Sequence, residues 1–200
     1  MKKISAAILA DGRNSRIKQE KSLLKFGNLH LIETQLELLS KIFADIAIVT
    51  SKEILHRLLP DFPKIEDKFK QCGPLAGIHT ALLHSEAESV FIFACDMPNL
   101  SRELIELQME EYGKKICDAL VPRHREGIEP LHAIYAKSCL FPIENNLKQN
   151  LCSVRSFYDR INVRFLAVTD NRIKNFHNIN THHDLREAES YLNCKVSNPV

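Results

Sequence analysis

The chain has 200 residues, 44% hydrophobic and 26% charged, with 27 basic against 25 acidic side chains and a formal net charge of +2. These values describe one globular domain with room for a sizeable core. The balanced charge, without a long basic run, argues against a general nucleic-acid binder, so any anion site has to be local.

Met1-Lys2-Lys3 opens like a signal peptide, but the apolar stretch ends at Ala10 and Asp11, Arg13 and Arg16 follow at once. That is too short for an export segment, and no run approaches the ~18 apolar residues of a membrane helix. The expectation is a cytoplasmic protein with no membrane partner. The six cysteines, Cys72, Cys95, Cys117, Cys139, Cys152 and Cys194, form no C-x-x-C pair, which removes zinc-ribbon and thioredoxin chemistry. An even count permits disulfides, yet Cys95 ends an apolar run where a reduced thiol serves as a small core residue. The cysteines are read as reduced, in a reducing compartment.

Ile4 to Ala10 reads as a buried strand, followed by a polar loop from Asp11 to Glu20. Ile32, Leu36, Leu39 and Phe43 recur at helical spacing and predict a helix over 29–42. Ile46 to Val49 is a second buried strand, and 54–59 a short helix stopped before Pro60 and Pro63. Ile65 to Asp67 ends a third strand. Gly73-Pro74 is a turn before a helix over 75–84, and Val90 to Cys95 is a strand ending at Asp96. Ser101 caps a helix carrying Leu104 and Leu107 on one face. Further strands are expected at 119–121, 131–136 and 163–168, with one or two helices between Ser138 and Tyr158. Thr181 and Asp184 form a capping box for a last helix through Leu185, Ala188 and Leu192. Strands alternating with helices at this spacing predict an α/β layered fold with a largely parallel sheet. Residues 1–194 are expected to form a single domain, and 195–200 a frayed tail.

In such sheets ligands bind beyond the carboxyl ends of the strands. The first strand end offers Leu9, Ala10, Asp11 and Gly12, with Arg13, Arg16 and Lys21 following. A turn glycine, backbone N–H groups and cations in one loop can wrap a polyphosphate; the same residues also suit a plain solvated loop. Neither G-x-x-x-x-G-K-[ST] nor G-x-G-x-x-G occurs, and the chain has only 6 glycines. Asp96, exposed at a strand terminus, is a natural Mg²⁺ ligand or else a turn aspartate before Pro98. Gly73 and Gly77 bracket a helix start, where backbone can approach a flat ligand or simply turn. Asn178 and Asn180 precede a helix as ligand amides or as turn and cap residues. The nine histidines show no H-E-x-x-H pattern and are taken as structural or surface residues.

Taken in order, these segments resemble the molybdenum cofactor guanylyltransferase family, within the nucleotidyltransferases of glycosyltransferase-A-like fold. That family opens with a strand and L-A-G-G-x-x-x-R-M-G, then a lysine; here Leu9-Ala10-Asp11-Gly12 leads to Arg16-Ile17-Lys18, then Lys21. Its G-P-L-A-G matches Gly73 to Gly77, its upstream aspartate Asp67, and its C-D-M-P Cys95 to Pro98. Its E-P-L-x-A-x-Y matches Glu129 to Tyr135, its S-[LV]-R Ser153 to Arg155, and its N-x-N-T-x-x-D-L Asn178 to Leu185. The resemblance covers roughly residues 4–192. Three positions depart from it: Asp11 stands for a loop glycine, Ile17-Lys18 for Met-Gly, and Asn150 for a glycine before the S-V-R segment. Aspartate and asparagine both tolerate left-handed backbone better than most residues.

The resemblance implies a three-layer αβα, Rossmann-like nucleotidyltransferase fold that transfers GMP from GTP to the phosphate of molybdenum-molybdopterin with Mg²⁺, releasing pyrophosphate. Asp96 would hold the metal; Arg16, Lys21 and the loop around Gly12 would meet the pyrophosphate. Leu9, Ala10, Asp11, Thr50, Asp67, Gly73 and Gly77 would surround the nucleotide, Asp67 facing guanine. Arg155, Asn178 and Asn180 would face the pterin. Molybdopterin-delivery proteins and molybdoenzyme chaperones are the implied protein partners. Other readings are a cytidylyltransferase or another small-molecule nucleotidyltransferase, and a nucleotide-binding adaptor with impaired catalysis. A glycosyltransferase would want D-x-D, which Asp96-Met97-Pro98 lacks.

Overall fold

The computed structural model describes residues 3–11, 23–69 and 72–197. Strand β1 (Ile4–Leu9) is buried through its four central residues, as expected of a strand covered on both faces. A small hairpin, β2 (Lys25–Phe26) and β3 (Leu29–His30), turns at Gly27 and leads into helix α1 (Leu31–Leu39). The Glu33 carboxylate accepts the His30 backbone N–H at 2.6 Å and closes the first turn of α1. Next come β4 (Ile46–Val49), α2 (Glu53–Leu58), β5 (Lys64–Ile65), α3 (Gly73–His84) and β6 (Ser89–Ala94). Helix α4 (Arg102–Lys114) is capped by Ser101, whose Oγ accepts the Leu104 N–H at 3.3 Å. Strands β7 (Ala119–His124), β8 (Gly127–Ile128) and β9 (His132–Ala136) lead to helix α5 (Leu140–Lys148), a 3-10 turn at Val154–Arg160 and strand β10 (Val163–Ala167). The chain closes with α6 (His182–Ser197), opened by the predicted reciprocal pair of Thr181 and Asp184.

The sheet runs β10-β7-β9-β6-β1-β4-β5, with β8 beside β7. Along that path β9 alone is antiparallel to its neighbours, so β10, β7, β6, β1, β4 and β5 all end on one edge. Alternation along the strands feeds two cores. Ala6, Ile8, Phe91 and Phe93 pack with Ile32, Leu36, Leu39 and Ile105 on one face. Ala7, Val90 and Ile92 pack with Leu75, Ile78, Leu82, Ile143 and Leu147 on the other. This is the three-layer, mostly parallel αβα arrangement. Among the described residues no helix is long and apolar enough to cross a membrane.

Two expectations are corrected in detail. The helix predicted over 29–42 begins at Leu31, because 29–30 pair with Lys25–Phe26 as the second strand of a hairpin. The cysteines are not all reduced: Cys72 and Cys152 form a disulfide with Cα atoms 4.8 Å apart, whereas Cys95, Cys117 and Cys139 are buried thiols outside any disulfide. The pairing joins loops brought together by the packing of α3 on α5, a contact that cysteine spacing does not reveal.

Candidate active site

Strand register builds the site. Leu9 lies opposite Val49 on one side and Ala94 on the other, and Val49 lies opposite Ile65. Asp11, Ser51, Asp96 and Asp67 therefore each stand two residues past the same line, on the carboxyl edge of β1, β4, β6 and β5. With neighbouring strands ~4.8 Å apart, the arc from the Asp96 strand to the Asp67 strand spans roughly 14 Å, a length that suits a nucleotide triphosphate. Gly12, Arg16 and Lys21 lie outside the described residues.

Toward β4 and β5 the arc is acidic and tightly bonded. Both oxygens of Asp11 accept the Ser51 N–H, at 3.0 and 2.8 Å, and Oδ1 also accepts the Thr50 hydroxyl at 2.9 Å. The carboxylate that replaces the family's glycine is thus turned onto the end of β4. Lys52 donates from Nζ to the Ala10 carbonyl at 2.8 Å, bringing a cation to the first loop that the sequence reading did not single out. Asp67 accepts the Phe69 N–H at 2.9 Å and the Thr80 hydroxyl at 3.4 Å. Its pKa is raised, first by burial and then by the nearby Asp11 charge, against the lowering effect of those hydrogen bonds. Gly77 has a packing reason to be glycine: a Cβ there would meet the Leu9 side chain at 3.1 Å, so α3 sits close against β1. Gly73 adopts φ +56° with open space around it, the left-handed turn that delivers the chain into α3.

At the β6 end the half-buried Asp96 sits in a turn tied down on several sides. The Cys95 N–H donates to the Leu9 carbonyl at 3.2 Å, and the Ile179 N–H donates to the Asp96 carbonyl at 2.8 Å. Ile179 is anchored in a small core with Leu24, Phe26, Leu31 and Ala188, so the exposed Asn178 and Asn180 flank Asp96. Buried Gln35, on α1, reaches the same turn from below, with Nε2 donating to the Ala94 and Met97 carbonyls at 2.9 and 2.8 Å. Sequence reasoning missed Gln35; the available signal was a lone amide on the otherwise apolar face of α1.

The edge continues beyond β9 to the end of β7. His124 Nε2 and Glu129 Oε1 are 2.8 Å apart, and burial raises the Glu129 pKa while His124 and Arg155 oppose the rise. Arg155 leans on Gly127, where a Cβ would lie 3.9 Å from its guanidinium. The Tyr135 hydroxyl donates back to the Pro130 carbonyl at 2.8 Å and meets the Tyr158 hydroxyl at 2.8 Å, which explains the tyrosine closing the E-P-L-x-A-x-Y pattern. Asn150, with φ +58°, is the one non-glycine residue at positive φ among those described, so asparagine fills the glycine role at that departure. A cavity of about 520 Å³ lies at the opposite, amino-end edge, lined by Ser5, Asp45, Asp61 and His84 among others; it gathers none of these groups.

Acidic and amide side chains line the carboxyl edge of a mostly parallel, Rossmann-like sheet, with α3, which carries Gly73 and Gly77, behind them; the family match identifies the class as nucleotidyltransferase. Residues 6–163 match the model of the MobA-like NTP transferase domain. A probable molybdenum cofactor guanylyltransferase of Pelotomaculum thermopropionicum is 34% identical, covering 94% of this chain and 93% of its own. Another, from Natranaerobius thermophilus, is 35% identical over 94% of this chain and 96% of its own. The crystal structure of molybdopterin-guanine dinucleotide biosynthesis protein A from Archaeoglobus fulgidus superposes with a TM-score of 0.83 at 33% identity, covering 95% of this chain and 99% of that one. The chain belongs to the MobA-like NTP transferase family, on its molybdenum cofactor guanylyltransferase branch.

Proposed function

We propose that this enzyme transfers GMP from GTP to the terminal phosphate of molybdenum-molybdopterin and releases pyrophosphate. The observation that carries the reading is the shared edge: Asp67 and Asp96 emerge from the same line of strand ends, with Asn178 and Asn180 held beside Asp96 by the Ile179–Asp96 backbone bond. A phosphate oxygen of molybdopterin forms the new bond to the α-phosphorus of GTP, the bond from that phosphorus to its β-bridging oxygen breaks, and the pyrophosphate departs with that oxygen. The protein's part in such a displacement is positioning and charge stabilisation.

Asp67, when ionised, is suited to accept hydrogen bonds from the N1–H and 2-amino groups of guanine. Leu9, Ala10, Thr50, Gly73 and Gly77 line the nucleotide side. Arg155, Asn178 and Asn180 face the pterin side, and by family resemblance Arg16, Lys21 and the loop at Gly12 take the pyrophosphate. The metal-side donors fit Mg²⁺: Asp96 supplies a hard carboxylate oxygen, and the neighbouring Cys95 thiol is buried in the core. When bound, the cation neutralises phosphate charge. Asp11 supports an active enzyme over an impaired adaptor, because its carboxylate is satisfied on Thr50 and Ser51. The reading implies the cytoplasm as compartment, and delivery proteins and molybdoenzyme chaperones as partners.

The test is incubation of the protein with Mg²⁺, molybdenum-molybdopterin and GTP labelled on its α-phosphate. Label should move to the pterin dinucleotide with one pyrophosphate released per transfer. Binding of GTP without transfer would identify an adaptor, and faster transfer from CTP would identify a cytidylyltransferase.

A further inference from the structure

We infer that Gln35 is a positioning residue for the Asp96 carboxylate, setting cation affinity from beneath the site; the inference rests on the reading of Asp96 as a cation ligand. Helix α1 turns Leu31, Ile32, Gln35, Leu36 and Leu39 inward. Gln35 is the one polar member of that set and is 2% exposed. Burying an amide is unfavourable unless it is hydrogen-bonded, and here both Nε2 protons are used, on the Ala94 and Met97 carbonyls at 2.9 and 2.8 Å. Oε1 has no partner among the described residues, so the side chain is present for its donors. Leucine has none, and an ionised glutamate would set a charge against two carbonyl oxygens.

The two carbonyls bracket Cys95 and Asp96, just where β6 ends. With Cys95 N–H on the Leu9 carbonyl and Ile179 N–H on the Asp96 carbonyl, the turn is tied to β1, to α1 and to the segment before α6. Gln35 contributes two of those four ties and spans the turn. Groups that orient a metal ligand from behind affect affinity although they never touch the ion. Gln108 provides a matched comparison: it is also fully buried, donates from Nε2 to the His132 carbonyl at 3.0 Å and has an unpartnered Oε1 among the described residues. Its carbonyl belongs to β9, not to the Asp96 turn.

The experiment titrates Mn²⁺ by electron paramagnetic resonance into the protein with GTP and no pterin acceptor. It compares wild type, Gln35→Met, Gln108→Met, Asp96→Ala and the Asp96→Ala/Gln35→Met double variant. Gln35→Met should weaken Mn²⁺ binding by about 10-fold or more, Gln108→Met should leave it in place, and Gln35→Met should add nothing once Asp96 is gone. If Gln35→Met does not fold, Gln35→Asn, whose amide is too short to reach both carbonyls, carries the same expectation. Equal Mn²⁺ affinity in wild type and the Gln35 variant overturns the inference while leaving Asp96 as a ligand. Equal affinity in wild type and Asp96→Ala overturns the metal reading of Asp96 and the Gln35 role with it.

Discussion

The backbone N–H of Ile179 donates to the carbonyl of Asp96 at 2.8 Å, fixing the approach to the last helix against the end of the central strand β6. Two segments far apart in the chain thereby become one rim. Asp96→Ala should keep the fold, since that tie uses backbone alone, and should lower pyrophosphate release by at least about 100-fold, the range seen when a charge-stabilising group is lost. Near-normal turnover would remove Asp96 from the chemistry.

Asp11 tests whether a departure from the family pattern harms or serves this chain. Its carboxylate holds Thr50 and Ser51, so restoring the family residue with Asp11→Gly should cost about 1–2 kcal/mol in thermal or denaturant unfolding and raise the KM for GTP. A variant that is equally stable and turns over faster would show that Asp11 repels the triphosphate.

Asp67 should carry base selectivity and a pH signature. Its carboxyl titrates above the ordinary carboxylate range because of burial and the neighbouring Asp11, and only the ionised form can accept two guanine donors. GTP affinity should therefore weaken as pH falls through that raised pKa, at a higher pH than an ordinary aspartate would produce. Asp67→Asn should abolish this dependence and narrow the ratio of GTP to CTP turnover. Selectivity that stays put would dismiss the role.

His132 should govern acid stability. It is fully buried among Phe91, Phe93 and Phe176, neither ring nitrogen has a partner among the described residues, and burial lowers its pKa to about 4. The unfolded chain, with an imidazole near its ordinary value, takes up a proton first. Stability is whole above the unfolded pKa and is lost as pH falls from roughly 6.5 toward 4, by about 3 kcal/mol in all. His132→Phe should flatten that slope in urea unfolding curves collected across the interval; an unchanged slope would assign the acid sensitivity elsewhere.

What was legible in the sequence follows the length of each pattern. The apolar runs of β1 and β6 and the periodic face of α1 extend over enough residues to identify themselves, and the strand-end rule then points to Asp96, whereas Asp67 entered only through the family resemblance. The two-residue strands of the hairpin at 25–30, and β8, are too short for any period to register. Asn150 at φ +58° was readable from the family resemblance, which puts a glycine at that position, together with asparagine's tolerance of left-handed backbone. The Asp11 bond to Thr50, Lys52 on Ala10, the Gln35 ties and the Cys72–Cys152 pairing depend on strand register and helix packing between distant segments, which composition and spacing do not encode.

A crystal structure with a non-transferable GTP analogue and Mg²⁺ tests the central claim most directly. Guanine should lie beside Asp67, the cation on Asp96 and the phosphates across the β1 end between them. Nucleotide density in the cavity lined by Ser5, Asp45 and His84 at the opposite edge of the sheet, with no cation at Asp96, would contradict it.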